Sequence, residues 1–272
     1  MAMHSEGFNP FHRSLKDIEA VPGNSRRMNT ILSSARTVAF SRKSIVIPLA
    51  LLAGALAVAG FWPSYFGPLV RGRPHAEWFI HVHAAACLAW IGLVVCQSYL
   101  ASTGRVALHV KVGRFGMVYG ATLAVSGLAM ALFLFTRQVR SVGFENTHVP
   151  LLAGLSDMTV FSVFLAGAWF TRQRPEAHRR FILLATNALI IAGVSRLFGG
   201  TRSVALGDVV PMVAVWLSPL WIAMLHDWLR YRRVHAVYVF GALLLIALRY
   251  RQLLRDTDMW EGFLRWLGAL VS

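Results

Sequence analysis

Residues 77–99 of the chain read EWFIHVHAAACLAWIGLVVCQSY and carry one formal charge, at the first position. A helix rises about 1.5 Å per residue, so this stretch is long enough to cross a hydrocarbon core about 30 Å thick. Inside that core the backbone has no water to bond, and a single crossing stretch must therefore be helical. The stretch predicts a transmembrane helix.

Six further segments have the same apolar character. The seven predicted spans are about 44–63, 77–99, 115–136, 149–171, 181–199, 209–226 and 234–250. Composition agrees, because 56% of the residues are hydrophobic and 14% are charged, against about 25% charged in soluble domains. We therefore predict an all-α polytopic membrane helix bundle over 44–250. A basic tail over 1–43 precedes it, and an interfacial C-terminal segment over 251–272 follows it.

Basic residues are distributed unequally between the two ends of this bundle. Of the 27 Lys and Arg residues, 17 lie on the side of the N-terminus. The positive-inside rule then places the N-terminus in the cytoplasm and the C-terminus outside a bacterial inner membrane. Topology and anionic lipid account for the formal net charge of +15, so the bilayer is the expected partner and nucleic acid is not.

Four histidines stand near the ends of predicted helices in a repeating pattern. His83 and His148 are separated by 65 residues, and His109 and His178 by 69, which indicates a duplicated two-helix unit. Ionisable side chains in a membrane are costly and mark functional sites, so these four are the candidate cofactor-binding residues. His81 points about 200° away from His83 on the same helix and is not included.

Two more charged residues lie within predicted spans, Asp157 and Arg196. Their helices are adjacent and antiparallel, so we expect them to form an ion pair that fixes helix register or serves as a proton path. Cys87 and Cys96 lie about 13 Å apart on one helix, too far for a disulfide, and are expected to be packing residues. The sequence indicates neither a catalytic residue nor a particular metal site.

One face of the third predicted helix carries mostly small side chains at one residue per turn. Its members are His109, Gly113, Gly116, Gly120, Ala124 and Gly127. Such a face allows close approach of another helix, and it could equally accommodate a flat cofactor such as a porphyrin.

The segments Gly104–Gly113 (GRVALHVKVG) and Glu176–Thr186 (EAHRRFILLAT) resemble motifs of an uncharacterised bacterial family of multi-pass membrane proteins. That family carries Leu-His-Arg-x-Leu-Gly before one helix and His-x-Arg-x-Met before another. Val110 and Lys111 depart from its pattern. The resemblance covers roughly 77–200 and implies the fold without an assigned activity.

The histidine spacing is also similar to that of diheme cytochromes b of the ascorbate-linked transmembrane reductase type. This likeness implies an outer heme b between His83 and His148 and an inner one between His109 and His178. Three functions are therefore expected alternatives: a heme- or quinone-linked redox protein, a non-catalytic assembly factor for a respiratory complex, and a small-molecule transporter. Whether the protein is an enzyme stays open at this point.

Overall fold

A computed structural model describes residues 44–73, 77–144, 151–199, 206–251 and 257–270; the predicted tail over 1–43 lies outside them. The described residues are mostly helical, which confirms the all-α prediction. The helices are α1 (Val46–Phe61), α2 (Gly67–Val70), α3 (Trp78–Ser102), α4 (Val106–Val142), α5 (Leu151–Phe170), α6 (Pro175–Leu189), α7 (Ile191–Leu197), α8 (Leu206–Trp216), α9 (Ser218–Tyr231), α10 (Ala236–Ala247) and α11 (Asp258–Ala269). A π-helical turn, Trp62–Phe66, joins α1 to α2, and a 3-10 turn, Leu248–Arg251, follows α10.

Four helical stretches in the described ranges are long and apolar enough to cross a membrane: Val46–Val70, Trp78–Ser102, Val106–Val142 and Leu151–Phe170. The pairs α6–α7 and α8–α9 also qualify if each pair is one span, and they are bent by 44° and 60°. The predicted seventh span, 234–250, contains only the twelve-residue α10 and a 3-10 turn. At about 18 Å, α10 is shorter than the hydrocarbon core. The protein is thus a multi-pass membrane protein, and its described residues contain four to six candidate spans.

The two bends lie side by side. Pro219 has no backbone N–H and is the second residue of α9, which breaks the second pair at Leu217. The Trp216 indole donates a hydrogen bond of 3.0 Å to the Asn187 carbonyl, an acceptor that a continuous helix would use for Ile191. The indole therefore stabilises the break between α6 and α7 from the neighbouring bent span.

Helices that follow one another in sequence pack together, so α3 to α6 form two consecutive hairpins, α3–α4 and α5–α6. The α1 helix packs across α3, α6 and α7. Its contact with α7 is a backbone contact, because a Cβ added to Gly60 would lie 2.1 Å from the Gly193 carbonyl oxygen. Small residues at such crossings permit close helix approach in membranes.

The C-terminal helix α11 packs against the end of the bundle opposite the hairpin turns. Trp260, Leu264 and Leu267 cover a small apolar cluster that includes Phe135 and Leu151. Trp266 is exposed on the other face. This arrangement agrees with an interfacial helix, although only part of the predicted segment 251–272 is described.

Candidate functional site

The densest group of ionisable side chains in the described residues lies at one end of the bundle, which we call the basic end. Here α3, α5 and α9 end and α4, α6 and α10 begin. The two hairpin turns meet at this end, Gly104 adopting a φ of +74° that favours glycine and Pro175 beginning α6. The turns place His109 and His178 each at the fourth position of its helix.

These two imidazoles face each other across the hairpins. Their ring centroids are 6.5 Å apart and their planes are nearly perpendicular, at 89°. The structure thus brings together one of the two histidine pairs predicted from spacing. Its two members come from equivalent positions of α4 and α6, as a duplicated hairpin requires.

Each ring is held by an equivalent hydrogen bond to the preceding helix. His109 Nδ1 donates to the Gln97 carbonyl at 3.2 Å, and His178 Nδ1 donates to the Ala168 carbonyl at 2.8 Å. Because a carbonyl oxygen can only accept, both rings carry a proton on Nδ1 and, when neutral, a free lone pair on Nε2. Neither Nε2 has a hydrogen-bond partner among the described residues. The pair can therefore accept protons, bind a ligand or coordinate a metal ion.

Beside this pair, Arg180 forms a buried ionic network. Its guanidinium donates to Asp227 Oδ2 at 2.6 and 3.1 Å, and to Glu176 Oε2 at 2.7 Å. The side chains of Arg180 and Asp227 are only 3% and 5% exposed, whereas that of Glu176 is 58% exposed. The network joins the first turn of α6 to the last turn of α9. Because both carboxylates occupy the guanidinium, Arg180 acts as an anchor rather than as a free cation.

Side chains from the start of α10 and from the last turns of α9 surround this ionic network. The Arg180 guanidinium lies over the Tyr238 ring, with its central carbon 5.3 Å from the ring centroid. His226 Nδ1 is 3.9 Å from Asp227 Oδ1. His235 accepts a hydrogen bond from the Val237 N–H at the start of the helix. Burial, followed by the charge of Arg180, lowers the pKa of His235 below its usual value, so this ring is neutral at neutral pH.

Gln97 adds a polar side chain beside His109. Its carbonyl accepts from that imidazole, and its amide nitrogen and oxygen are buried without a hydrogen-bond partner in the described structure. The amide is close to Gly113, since a Cβ added there would be 3.5 Å from Gln97 Nε2. A buried amide without partners is costly unless a ligand or water completes its hydrogen bonds.

In the other predicted histidine pair, His83 with His148, His148 lies outside the described residues. His83 contacts Ser126 and Cys87 at the opposite end of the bundle, at 3.1 and 3.6 Å. The nearby His81 bonds to the Tyr65 hydroxyl at 2.9 Å. These contacts connect α3 to α4 and to the π-helical turn that follows α1.

The predicted ion pair between Asp157 and Arg196 is wrong. Asp157 pairs with Arg251, at the end of the 3-10 turn after α10. Arg196 donates to the Ala192 carbonyl of its own helix, and its guanidinium lies 4.5 Å from the ring centroid of Phe61. The bend after α6 rotates α7 relative to α5, and a straight helix was assumed in the prediction.

The small face of α4 is filled by side chains, which favours packing over a flat cofactor. A Cβ on Gly120 would lie 2.8 Å from Trp90 and 2.9 Å from Leu165. A Cβ on Gly127 would lie 2.3 Å from the sulfur of Met158. Helices α3 and α5 therefore occupy this face.

Sequence reasoning missed the pairing of Arg180 with Asp227, and it did not include Gln97 among the candidate site residues. Arg180 stands at the very edge of the predicted span 181–199, and Asp227 directly follows the predicted span 209–226. A signal was available, since charges of opposite sign border two spans on the same side of the membrane. Their separation of 47 residues gave no indication of contact.

Two curated proteins are similar to this chain over most of its length. Undecaprenyl-diphosphatase of Prochlorococcus marinus (strain MIT 9313) is 27% identical over 192 residues, 70% of this chain and 52% of that protein. The protein of the same name from strain MIT 9303 is 28% identical over 194 residues, 71% of this chain and 54% of that protein. The chain thus spans about half the length of these relatives. No protein-family model and no solved structure matches it.

This similarity contradicts the functions expected from the sequence. Both relatives are named as enzymes acting on undecaprenyl diphosphate, and neither is a redox protein, an assembly factor or a transporter. The spacing of His109 and His178 does not identify heme binding, because paired imidazoles serve many chemistries besides it.

Proposed function

We propose that this protein is a membrane hydrolase that removes the terminal phosphate of a polyprenyl diphosphate at the basic end of the bundle. The observation that carries the proposal is the His109–His178 pair, whose two Nε2 atoms have no hydrogen-bond partner among the described residues and lie beside a buried ionic network. The similarity to two undecaprenyl-diphosphatases supplies the substrate class.

The charge of this end suits a diphosphate head group. Arg105 and Arg174 are exposed at the two hairpin turns, and Lys111 is exposed on the second turn of α4. Guanidinium and ammonium groups at a membrane surface attract phosphate and offset its charge. The polyprenyl chain would remain in the bilayer, so the reacting phosphorus would lie at the level of the helix ends where the imidazoles are.

The imidazoles can carry out the proton transfer that hydrolysis needs. One Nε2 would accept a proton from water as the water oxygen bonds to the terminal phosphorus. The bond from that phosphorus to the bridging oxygen would break, which leaves a polyprenyl monophosphate and inorganic phosphate. The hydrogen bonds from Nδ1 to Gln97 and Ala168 hold both rings in the tautomer that this step requires.

Arg180 has a positioning role in this scheme. Its guanidinium is buried and shared between Asp227 and Glu176, so it is not available to the substrate. It fixes the first turn of α6, where His178 lies, against α9. The exposed bases at the hairpin turns would contact phosphate instead.

The proposal is tested by phosphate release from undecaprenyl diphosphate and farnesyl diphosphate, with detergent-purified protein. We expect the wild type to release phosphate, and a His109→Ala/His178→Ala double variant to be slower by about 10²-fold or more, the usual contribution of acid–base catalysis. His81→Ala, at the opposite end of the bundle, is the matched control and should retain activity. Absence of phosphate release by the wild type, or full activity in the double variant, would refute the proposal.

A further inference from the structure

A second group of side chains with metal-binding chemistry lies at the opposite end of the bundle from the proposed hydrolytic site. It consists of His83 and Cys87, one turn apart on α3, and Ser126 on α4. Spacing of i and i+4 places the imidazole and the thiol on the same face of the helix. The Tyr119 hydroxyl, which donates to the Ala86 carbonyl at 2.7 Å, borders the same contact between α3 and α4.

The hydrogen bonds around His83 determine its tautomer, and they leave a lone pair on the ring nitrogen that faces the Cys87 thiol. Ser126 Oγ donates to the Leu123 carbonyl at 2.8 Å, so it uses its only proton there. The 3.1 Å contact with His83 must then be a donation from Nδ1–H to Ser126 Oγ. Nε2 is left unprotonated and accepts the thiol proton of Cys87 across 3.6 Å. A histidine that binds a metal through one ring nitrogen is usually oriented by a hydrogen bond that the other ring nitrogen donates.

We propose that Nε2 of His83 and Sγ of Cys87 form a two-coordinate site for a soft monovalent metal ion, Cu(I) or Ag(I). Binding would replace the thiol proton, which is released, by the metal ion. The product would be a neutral imidazole–metal–thiolate unit. Neutrality matters because an uncompensated charge at this depth in a membrane is costly.

The number of ligands selects this class of ion. No group of three or more His, Cys, Asp or Glu side chains in the described part of the chain could hold a metal. Zn²⁺ commonly needs four ligands, whereas soft Cu(I) prefers thiolate and thioether ligands. Bonds of about 2.0 Å to nitrogen and about 2.3 Å to sulfur would separate the two atoms by at most about 4.3 Å. The present 3.6 Å therefore requires a side-chain adjustment of less than 1 Å.

Cys96 provides a matched control on the same helix. Both cysteines are free, Cys96 being exposed and Cys87 half-buried. Cu(I) or Ag(I) is titrated into purified full-length protein against a chromophoric chelator, and the thiolate-to-metal charge-transfer band is recorded. We expect Cys96→Ser to bind one ion with this band. In that background, Cys87→Ser should lose the band and His83→Ala should weaken binding by about 10-fold or more.

Two further variants separate ligation from a structural role. Ser126→Ala keeps both ligands but removes the acceptor that fixes the ring, and it should weaken binding by about 10- to 100-fold. His83→Met replaces the imidazole by a neutral, soft thioether, keeps the unit neutral and should retain the ion. A charge-transfer band that survives in Cys87→Ser, or affinity unchanged in His83→Ala, would overturn the proposal. Failure of Cys96→Ser to bind either ion would overturn it as well.

Discussion

Replacing Asp227 with Asn should destabilise the protein because it leaves the Arg180 guanidinium buried with one carboxylate fewer. Removing one partner of a buried ion pair lowers the free energy of unfolding by about 3–5 kcal/mol. Glu176 still bonds to the guanidinium, but its carboxylate is 58% exposed and solvent screens its charge. We therefore expect the lower end of that range, about 3 kcal/mol, which corresponds to a decrease in Tm of roughly 6–12 °C for a chain of this size.

Thermal unfolding in detergent, followed by circular dichroism at fixed protein and detergent concentration, measures this effect. Glu176→Gln is the control, and should lower the free energy of unfolding by less than about 1 kcal/mol because the Glu176 carboxylate is exposed. The double variant Arg180→Met/Asp227→Leu should recover much of the lost stability, since apolar replacement of a whole buried pair is often neutral. A Tm for Asp227→Asn equal to that of the wild type, or a double variant less stable than the single one, would refute the reasoning.

Three other perturbations test the packing and the proposed site. Gly60→Leu should lower the Tm in detergent by more than a surface change does, because its side chain would meet the backbone of Gly193. Gln97→Leu should leave the Tm unchanged or higher, since it removes an unpartnered buried amide, yet it should slow phosphate release if that amide contacts the substrate. Arg105→Ala/Arg174→Ala should raise the KM for farnesyl diphosphate in the same assay with little change in Tm, because both guanidiniums are exposed at the hairpin turns and suit phosphate.

The sequence predicts the bundle well because the bilayer restricts the options. An apolar run such as 77–99 must be helical, and the structure has α3 over Trp78–Ser102. Only one of the two bent spans has a signal in its own sequence. Pro219 indicates a break near Leu217, but the break before Ile191 depends on the Trp216 indole of another helix. A local pattern holds no information about such a partner.

The candidate site was only partly predictable. The proximity of His109 and His178 followed from a repeat in the sequence, since equivalent positions of duplicated hairpins meet at one end. The partner of Asp157 did not follow, because it depends on how far each helix is rotated and where it bends. The chemistry could not be predicted either, as an imidazole pair is compatible with proton transfer, metal binding and cofactor binding.

The repeat also explains why the two histidines are held alike but surrounded differently. Both donate from Nδ1 to the preceding helix, so their Nε2 atoms are equivalent before any substrate arrives. Beside His109, however, stands the neutral amide of Gln97, whereas two residues after His178 comes the charged anchor Arg180. Equivalent rings in unequal surroundings suit a reaction in which one neutral ring takes a proton from water and the other, protonated on both nitrogens, donates from Nε2 to an anionic oxygen. In this scheme, the predicted duplication would have supplied the two histidines. Later divergence of the residues around them would have given the two rings different roles.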